Sequence, residues 1–223
     1  MTTFSVALDG PSGAGKSTIA KELAKALDAR YLDTGAMYRT VGLYMTNSGI
    51  VNDPDAVAAR VQEVPLEVRF QGDEQLMFLG DEDVSQQIRL PEISMTASKM
   101  GAIPAVRTYL VNLQREMAKS ISIVMDGRDI GTVVLPNATV KIFLTASPEA
   151  RAQRRVAQLA EKEVYQDYET VLAEIIQRDY QDTHRTITPL KPADDAIILD
   201  TTNMTQAESI QAILDICHQR IGK

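Results

Sequence analysis

The sequence predicts an α/β fold with a central parallel sheet flanked by helices. Segments with the period of a strand alternate with segments of helical period, as in residues 4–8 and then residues 19–27. Three later apolar runs, at residues 121–125, 140–144 and 196–199, lack the regular polar alternation of a half-solvated strand. Such runs are typical of strands that helices cover on both faces, as in parallel sheets.

Local signals place the remaining elements of this fold. A second strand at residues 31–32 precedes a helix that we expect to end at Gly49. Pro54 stands in the first turn of the next helix, where its missing N–H costs nothing. Thr205 and Glu208 have the spacing of a capping box and predict the start of the last helix.

The stretch from residue 64 to residue 84 has a different pattern. Leu66, Val68 and Phe70 alternate with charged residues, and a glycine-containing turn at residues 71–73 leads into a second apolar segment. This pattern favours a half-solvated antiparallel meander. We therefore predict one domain, residues 1–223, that carries a small inserted antiparallel β subdomain at about residues 62–104.

Composition excludes several classes of protein. The net charge of −7 disfavours non-specific binding of a nucleic-acid backbone, and no purely apolar run exceeds four residues. Residues 1–4 have neither the basic nor the apolar region of a signal peptide. Cys217 is the only cysteine, which excludes an internal disulfide, and we expect it to be a small buried apolar residue. These features predict a cytoplasmic protein that binds no membrane, and the absence of an unused amphipathic stripe predicts a monomer.

The glycine-rich stretch after the first strand is the strongest motif. Residues 10–17 fit G-x-x-x-x-G-K-[ST] and lie between a predicted strand and a predicted helix, which is the context of a phosphate-binding P-loop. Backbone N–H groups would surround the phosphates, Lys16 would reach the β- and γ-phosphates, and Ser17 would bind Mg²⁺. The alternative is an ordinary glycine-rich turn with an exposed lysine. The predicted nucleotide-binding residues are Gly10, Pro11, Ser12, Gly13, Ala14, Gly15, Lys16, Ser17 and Thr18.

Asp126 ends an apolar strand, as a carboxylate that holds Mg²⁺ directly or through water would do. Aspartate is also a common turn residue, so a structural role is the alternative. A P-loop alone does not name a reaction, because switches, motors and small-molecule kinases share it.

Arginines distinguish these reactions, because phosphoryl transfer between two nucleotides brings several negative charges together. The candidate cations in this acidic chain are Arg39, Arg128, Arg151, Arg154, Arg155, Arg178 and Arg185. Arg178, Asp182 and Arg185 continue the helical stripe of Val171 and Ile175. The spacing fits either a stripe that enters a wet cavity or a surface ion pair worth about 0.3–0.5 kcal/mol. For the adjacent Arg154 and Arg155, a solvated helix face is the alternative.

Taken in order, the motifs resemble those of the bacterial cytidylate kinases, a group of nucleoside monophosphate kinases with an enlarged monophosphate-binding insert. The resemblance covers essentially the whole chain, and the order and spacing of the motifs make it specific. The segments that carry it are residues 9–17, 32–39, 82–85, 88–89, 126–134, 141–144, 154–155, 178–179, 185, 189–190, 195–196 and 200–201.

The resemblance implies that ATP phosphorylates CMP or dCMP, with Mg²⁺ as cofactor. Arg39, Arg128 and Arg178 would hold the acceptor phosphate, and Asp182 would bind a ribose hydroxyl. Residues Ser98, Arg107, Asp129 and Arg185 would surround the cytosine. Arg154 and Arg155 would lie on a lid, about residues 151–166, that closes over ATP. Two positions depart from the family pattern: Thr34 stands where serine is often found, and Glu163 stands where many relatives have glycine.

Other functions share part of this pattern. A kinase for UMP, dTMP or dephospho-coenzyme A would keep the P-loop but need a different set of base-contacting side chains. A GTP-hydrolysing switch would carry an Asn-Lys-x-Asp motif, which the sequence lacks. A binding module with a relic P-loop would not need Lys16, Ser17 and Arg39 intact.

Overall fold

The computed structural model describes residues 3–161 and 163–222. Its β-strands alternate along the chain with helices in the predicted manner. The strands are β1 (Ser5–Asp9), β2 (Arg30–Asp33), β3 (Leu66–Gln71), β4 (Glu74–Leu79), β5 (Glu82–Asp83), β6 (Ile123–Gly127), β7 (Val140–Thr145) and β8 (Ile197–Asp200).

The α-helices range from a single turn to more than four turns. They are α1 (Lys16–Ala26), α2 (Thr34–Asn47), α3 (Pro54–Arg60), α4 (Pro91–Ser94), α5 (Thr96–Gly101), α6 (Pro104–Ser120), α7 (Pro148–Ala160), α8 (Tyr168–His184) and α9 (Gln206–Ile221). Short 3₁₀ turns occur at Val61–Glu63 and Gln87–Arg89, and a π-helical turn at Ile130–Val134. Among the described residues, no helix has the length and apolar character needed to cross a membrane.

The described chain divides into two compact units, residues 3–29 with 123–222 and residues 30–122. In the first unit the strands lie in the order β6-β1-β7-β8 and all run parallel. The inner strands are buried along almost their whole length, which confirms the prediction of strands covered on both faces. That prediction is wrong for β8, where Ile198 is 61% exposed. Because β8 pairs with β7 alone among the described strands, it is an edge strand whose burial alternates.

Helices bury apolar faces within this first unit. α1 places Ile19, Ala20 and Leu23 in the core, as its periodicity predicts. α7 and α8 share a cluster built from Ala152, Leu159, Val171 and Ile175. α9 begins with the predicted capping box of Thr205 and Glu208. Its Cys217 is buried, as expected, and burial raises the pKa of the thiol to about 11.

The second unit contains the predicted meander. β3, β4 and β5 form an antiparallel sheet with Val68 opposite Met77, and β3 alternates strictly between half-buried and exposed residues. α2 ends before Gly49, whose φ of 72° lies in the region that favours glycine. Asp53 caps α3 by accepting hydrogen bonds from Asp55 and Ala56 N–H. The limits of the insert, residues 62–104, stay a prediction.

Gly42 marks a close approach between α2 and α5 in this unit. A Cβ atom at Gly42 would lie 1.8 Å from Thr96 Oγ1 and 2.7 Å from Thr96 Cβ. Thr96 has little freedom to withdraw, because it is buried and its hydroxyl donates to the Ile93 carbonyl at 2.7 Å. The absence of a side chain at residue 42 therefore sets the spacing of the two helices.

We predict that Gly42→Ala lowers the free energy of unfolding by about 1–2 kcal/mol. Overpacking at this close contact costs up to about 3 kcal/mol, which outweighs the gain of about 1 kcal/mol that alanine brings to a helix interior. Gly101→Ala is the matched control, because Gly101 also lies in a helix but a Cβ there meets nothing within 4 Å. Urea denaturation followed by circular dichroism measures both. A Gly42→Ala protein as stable as the control would contradict the packing argument.

Candidate active site

The loop between β1 and α1 has the backbone shape that a phosphate cradle requires. Gly10 has a φ of 148°, and a Cβ there would lie 2.0 Å from the Leu144 carbonyl oxygen, so no other residue fits. Gly15, with a φ of 87°, is the N-cap of α1 and leaves its first N–H groups without a side-chain cap. The loop thus presents the positive end of a helix and closely spaced amides, a combination that binds anions.

Lys16 begins α1 and is only 6% exposed. Its Nζ donates a 2.7 Å hydrogen bond to the Pro11 carbonyl, so the ammonium lies over the loop. Burial, and then the positive charge of Arg128, hold the pKa of Lys16 well below its ordinary value. Neighbouring carboxylates oppose this shift, namely those of Asp126, Asp9 and Asp182.

Ser17 and Asp126 meet as expected of a metal-binding pair. Ser17 Oγ donates to Asp126 Oδ2 at 2.8 Å. The contact follows from the sheet, because Asp126 on β6 is the register partner of Leu8 on β1, the strand that leads into the loop. A hydroxyl and a carboxylate this close are the oxygen ligands that Mg²⁺ takes when water and phosphates complete its shell. The two side chains therefore fit the cation.

Asp9 is a buried residue of this region to which the sequence reasoning gave no role. Its carboxylate accepts hydrogen bonds from Ile130 N–H at 2.8 Å and from Gly131 N–H at 2.7 Å. Burial raises its pKa to about 6, although these two bonds oppose the shift. Asp9 thus fixes the loop after β6 to the end of β1, and its position next to the P-loop motif was the only sequence signal.

The end of α8 meets the loop after β6. Arg128 Nε donates to Asp182 Oδ2 at 2.6 Å, and Arg185 Nη2 lies 4.0 Å from Asp129 Oδ1. The predicted helical stripe is present through Asp182, but α8 ends at His184. Arg185 is the C-cap, with a φ of −64° and a ψ of 140°. The exposed Arg178 lies on α8. Two of the predicted residues after β6 are therefore each close to a predicted residue at the end of α8, Arg128 to Asp182 and Asp129 to Arg185.

The three arginines of α7 have different surroundings. Arg154 is half-buried and donates to the Thr201 carbonyl, to Thr201 Oγ1 at 3.2 Å and to the Met204 carbonyl at 3.2 Å. Arg155 is exposed and donates to Gln158 at 3.0 Å. Arg151 is buried in contacts with the P-loop and α8, a role that its sequence spacing does not reveal.

The predicted lid extends beyond α7. Lys162 lies outside the described residues. Glu163 has a φ of 59°. That value lies in the left-handed region that glycine adopts without strain.

The remaining predicted residues lie in the second unit. Arg39 Nη2 donates to Asp33 Oδ2 at 2.9 Å, and Arg39 Nε is buried without a hydrogen-bond partner in the described part of the chain. Thr34 is buried at the start of α2, and Thr18 of the first unit is exposed in α1. Ser98 is exposed on α5, whereas Arg107 is buried on α6.

Solved structures share the fold at low sequence identity. An uncharacterized protein from Eubacterium ventriosum has a TM-score of 0.51 at 16% identity, over 99% of both chains. The protein TT1252 from Thermus thermophilus has a TM-score of 0.50 at 16% identity, over 98% of both chains. At this identity the likeness concerns the fold alone.

Sequence relatives are much closer. The chain is 52% identical to a cytidylate kinase from Mycobacterium avium, over 96% of this chain and 95% of the relative. It is 51% identical to one from Mycobacterium leprae and 46% identical to one from Caldicellulosiruptor saccharolyticus, each over 100% of this chain and 99% of the relative. A family model described as cytidylate kinase matches residues 6–219. The chain therefore belongs to the cytidylate kinase family.

Proposed function

We propose that the protein transfers the γ-phosphoryl group of ATP to CMP and dCMP, forming ADP with CDP or dCDP. The observation that carries this proposal is the match to cytidylate kinases over essentially the whole chain. The contact between Ser17 and Asp126, together with the buried Lys16, supports the proposal. These side chains supply oxygen ligands for Mg²⁺ and a cation for the phosphates of a nucleoside triphosphate.

ATP is the donor, and its phosphates lie against the loop of residues 10–18. Lys16 reaches the β- and γ-phosphates, whose negative charge favours the protonated ammonium. Ser17 and Asp126 hold Mg²⁺, directly or through water. When bound, the cation neutralises charge on the donor phosphates.

The acceptor phosphate is held by Arg39, Arg128 and Arg178, because guanidinium forks match phosphate oxygens. The buried Arg39 Nε, without a partner in the described chain, supports this role. Thr34 contributes a hydroxyl to the same site, and Asp182 takes a ribose hydroxyl. Since Arg128 and Asp182 bond to each other at 2.6 Å, the acceptor must exchange this contact for its own.

Cytosine recognition is assigned to four polar side chains, because a base with one amino group, one ring nitrogen and one carbonyl needs matched donors and acceptors. These are Ser98, Arg107, Asp129 and Arg185. The 4.0 Å separation of Asp129 and Arg185 supports a shared role for these two.

Transfer needs no protein nucleophile. The phosphate of CMP is anionic at neutral pH and attacks the γ-phosphorus once it is aligned and its charge is balanced. Arg154 and Arg155 stabilise the transferred group from the lid, residues 151–166, which also excludes water from ATP. Arg154 must first leave its contacts with Thr201 and Met204.

We propose further that the protein acts as a cytoplasmic monomer.

The proposal is tested by ADP release with Mg²⁺-ATP and one added acceptor at a time: CMP, dCMP, UMP, AMP, GMP or dTMP. We expect fast ADP release with CMP and dCMP only, and almost no ADP release without an acceptor. Turnover with another acceptor would keep the P-loop chemistry but overturn the assigned base site. ADP release at the same rate with and without an acceptor would contradict the assignment of kinase activity.

Lys16→Ala should abolish nearly all turnover, at least about a hundredfold, because it removes a cation placed where charge develops. Lys25→Ala is the matched control, since Lys25 lies on the exposed side of the same helix. Circular dichroism verifies that both variants fold. Wild-type kcat in Lys16→Ala would show that the P-loop assignment is wrong.

Asp126→Asn should raise the Mg²⁺ concentration needed for half-maximal activity by about ten- to a hundredfold, the range for a weakened metal site. Asparagine keeps the shape but lowers the negative charge next to Ser17. Asp73→Asn, at an exposed turn, is the control and should leave the Mg²⁺ titration unchanged. An unchanged titration in Asp126→Asn would contradict the metal assignment.

A further inference from the structure

Arg151 connects three segments through one buried guanidinium group. It is 3% exposed, and its Nε donates to the Ala146 carbonyl at 2.8 Å. Nη1 donates to the Ser12 carbonyl at 2.8 Å. The two terminal nitrogens also donate hydrogen bonds to Asp179, Nη1 to Oδ1 at 3.1 Å and Nη2 to Oδ2 at 2.5 Å. The loop after β7, the P-loop and α8 are thus joined by a single side chain.

Gly13 of the P-loop also lies next to the helices that carry these two charged residues. A Cβ at Gly13 would lie 3.4 Å from Arg151 Cβ on α7 and 3.8 Å from Ile175 Cδ1 on α8. Both distances are close to van der Waals contact. The side of Gly13 on which a Cβ would project therefore faces α7 and α8, and the preceding Ser12 carbonyl is bonded to Arg151.

Peptide geometry links this contact to phosphate binding. In a planar trans peptide the carbonyl of one residue and the N–H of the next point in opposite directions. A Ser12 carbonyl held toward Arg151 therefore directs the Gly13 N–H away from α7 and α8. Backbone N–H groups that point into the concavity of the loop are what bind an anion there.

We propose that Arg151, held by Asp179, is a positioning residue that fixes the Ser12–Gly13 peptide so that the Gly13 N–H binds the donor phosphates. This inference rests on the proposed function. Because Asp179 balances the charge of Arg151, the contribution lies in orientation and not in attraction of the nucleotide. It differs in this respect from the roles of Lys16 and Arg128.

Arg151→Lys tests the proposal, because lysine keeps the charge but loses the planar fork. We expect ADP to bind about tenfold more weakly by isothermal titration calorimetry, with a similar fall in kcat/KM for ATP. The dissociation constant for CMP should change by less than about threefold. Asp179→Asn should act in the same direction, and the double variant should be no worse than Arg151→Lys, since the two residues act as one unit.

Asp195→Asn is the matched control. Both carboxylate oxygens of Asp195 accept hydrogen bonds from the buried Lys141 at 2.8 Å. The variant therefore removes a carboxylate that also pairs with a buried cation, in a pair for which the described chain shows no hydrogen bond to the P-loop. It should leave ADP and CMP affinity unchanged. Melting temperatures of all variants report on stability.

Wild-type ADP affinity in Arg151→Lys would overturn the inference. So would an equal loss of ADP and CMP affinity with a lowered melting temperature, which indicates a merely structural role. Failure of the proposed function is distinguishable, because wild-type protein would then show no CMP-dependent ADP release while its ADP affinity still reports on Arg151.

Discussion

The structure around the P-loop depends on the burial of one ammonium group. Lys16 lies beneath the protein surface, and its ammonium group donates a hydrogen bond to the Pro11 carbonyl. A cation taken out of water is costly unless opposite charges or strong acceptors compensate it. Asp9, Asp126 and Asp182 offset part of this cost, whereas Arg128 adds to it. The first unit therefore places carboxylates from three different segments near Lys16.

The parallel sheet achieves most of this arrangement. Asp9 and Asp126 lie at the carboxyl ends of neighbouring strands, β1 and β6, where parallel strands deliver their side chains to the same edge. Asp182 arrives from the end of α8 and binds Arg128, which follows β6. The position of α8 is therefore a condition for the charge balance around Lys16, and the apolar cluster that α8 shares with α7 secures it.

Local signals in the sequence were sufficient for several elements but not for their burial. The P-loop, the α9 capping box and the meander follow from spacing that acts within a few residues, and the structure contains all three. The four apolar residues 196–199 do not show that β8 is an edge strand. An edge strand differs from a central strand in the number of neighbouring strands, which the local sequence does not specify. The burial of Arg151 could likewise not be predicted from the sequence. Nothing in its spacing from Arg154 and Arg155 tells which guanidinium the fold buries.

Two of the proposed substrate-binding groups, Arg128 and Asp182, bond to each other, and a third, Arg154, bonds to backbone carbonyls. Each such contact satisfies hydrogen-bonding groups of a charged side chain. Each must also be exchanged when a nucleotide binds, so part of the binding free energy replaces existing hydrogen bonds. Arg151 and Lys16 differ, because their present contacts can persist beside a bound phosphate. The proposed site therefore combines a preformed cradle for the donor phosphates with three groups, Arg128, Asp182 and Arg154, whose present contacts the bound nucleotides must replace.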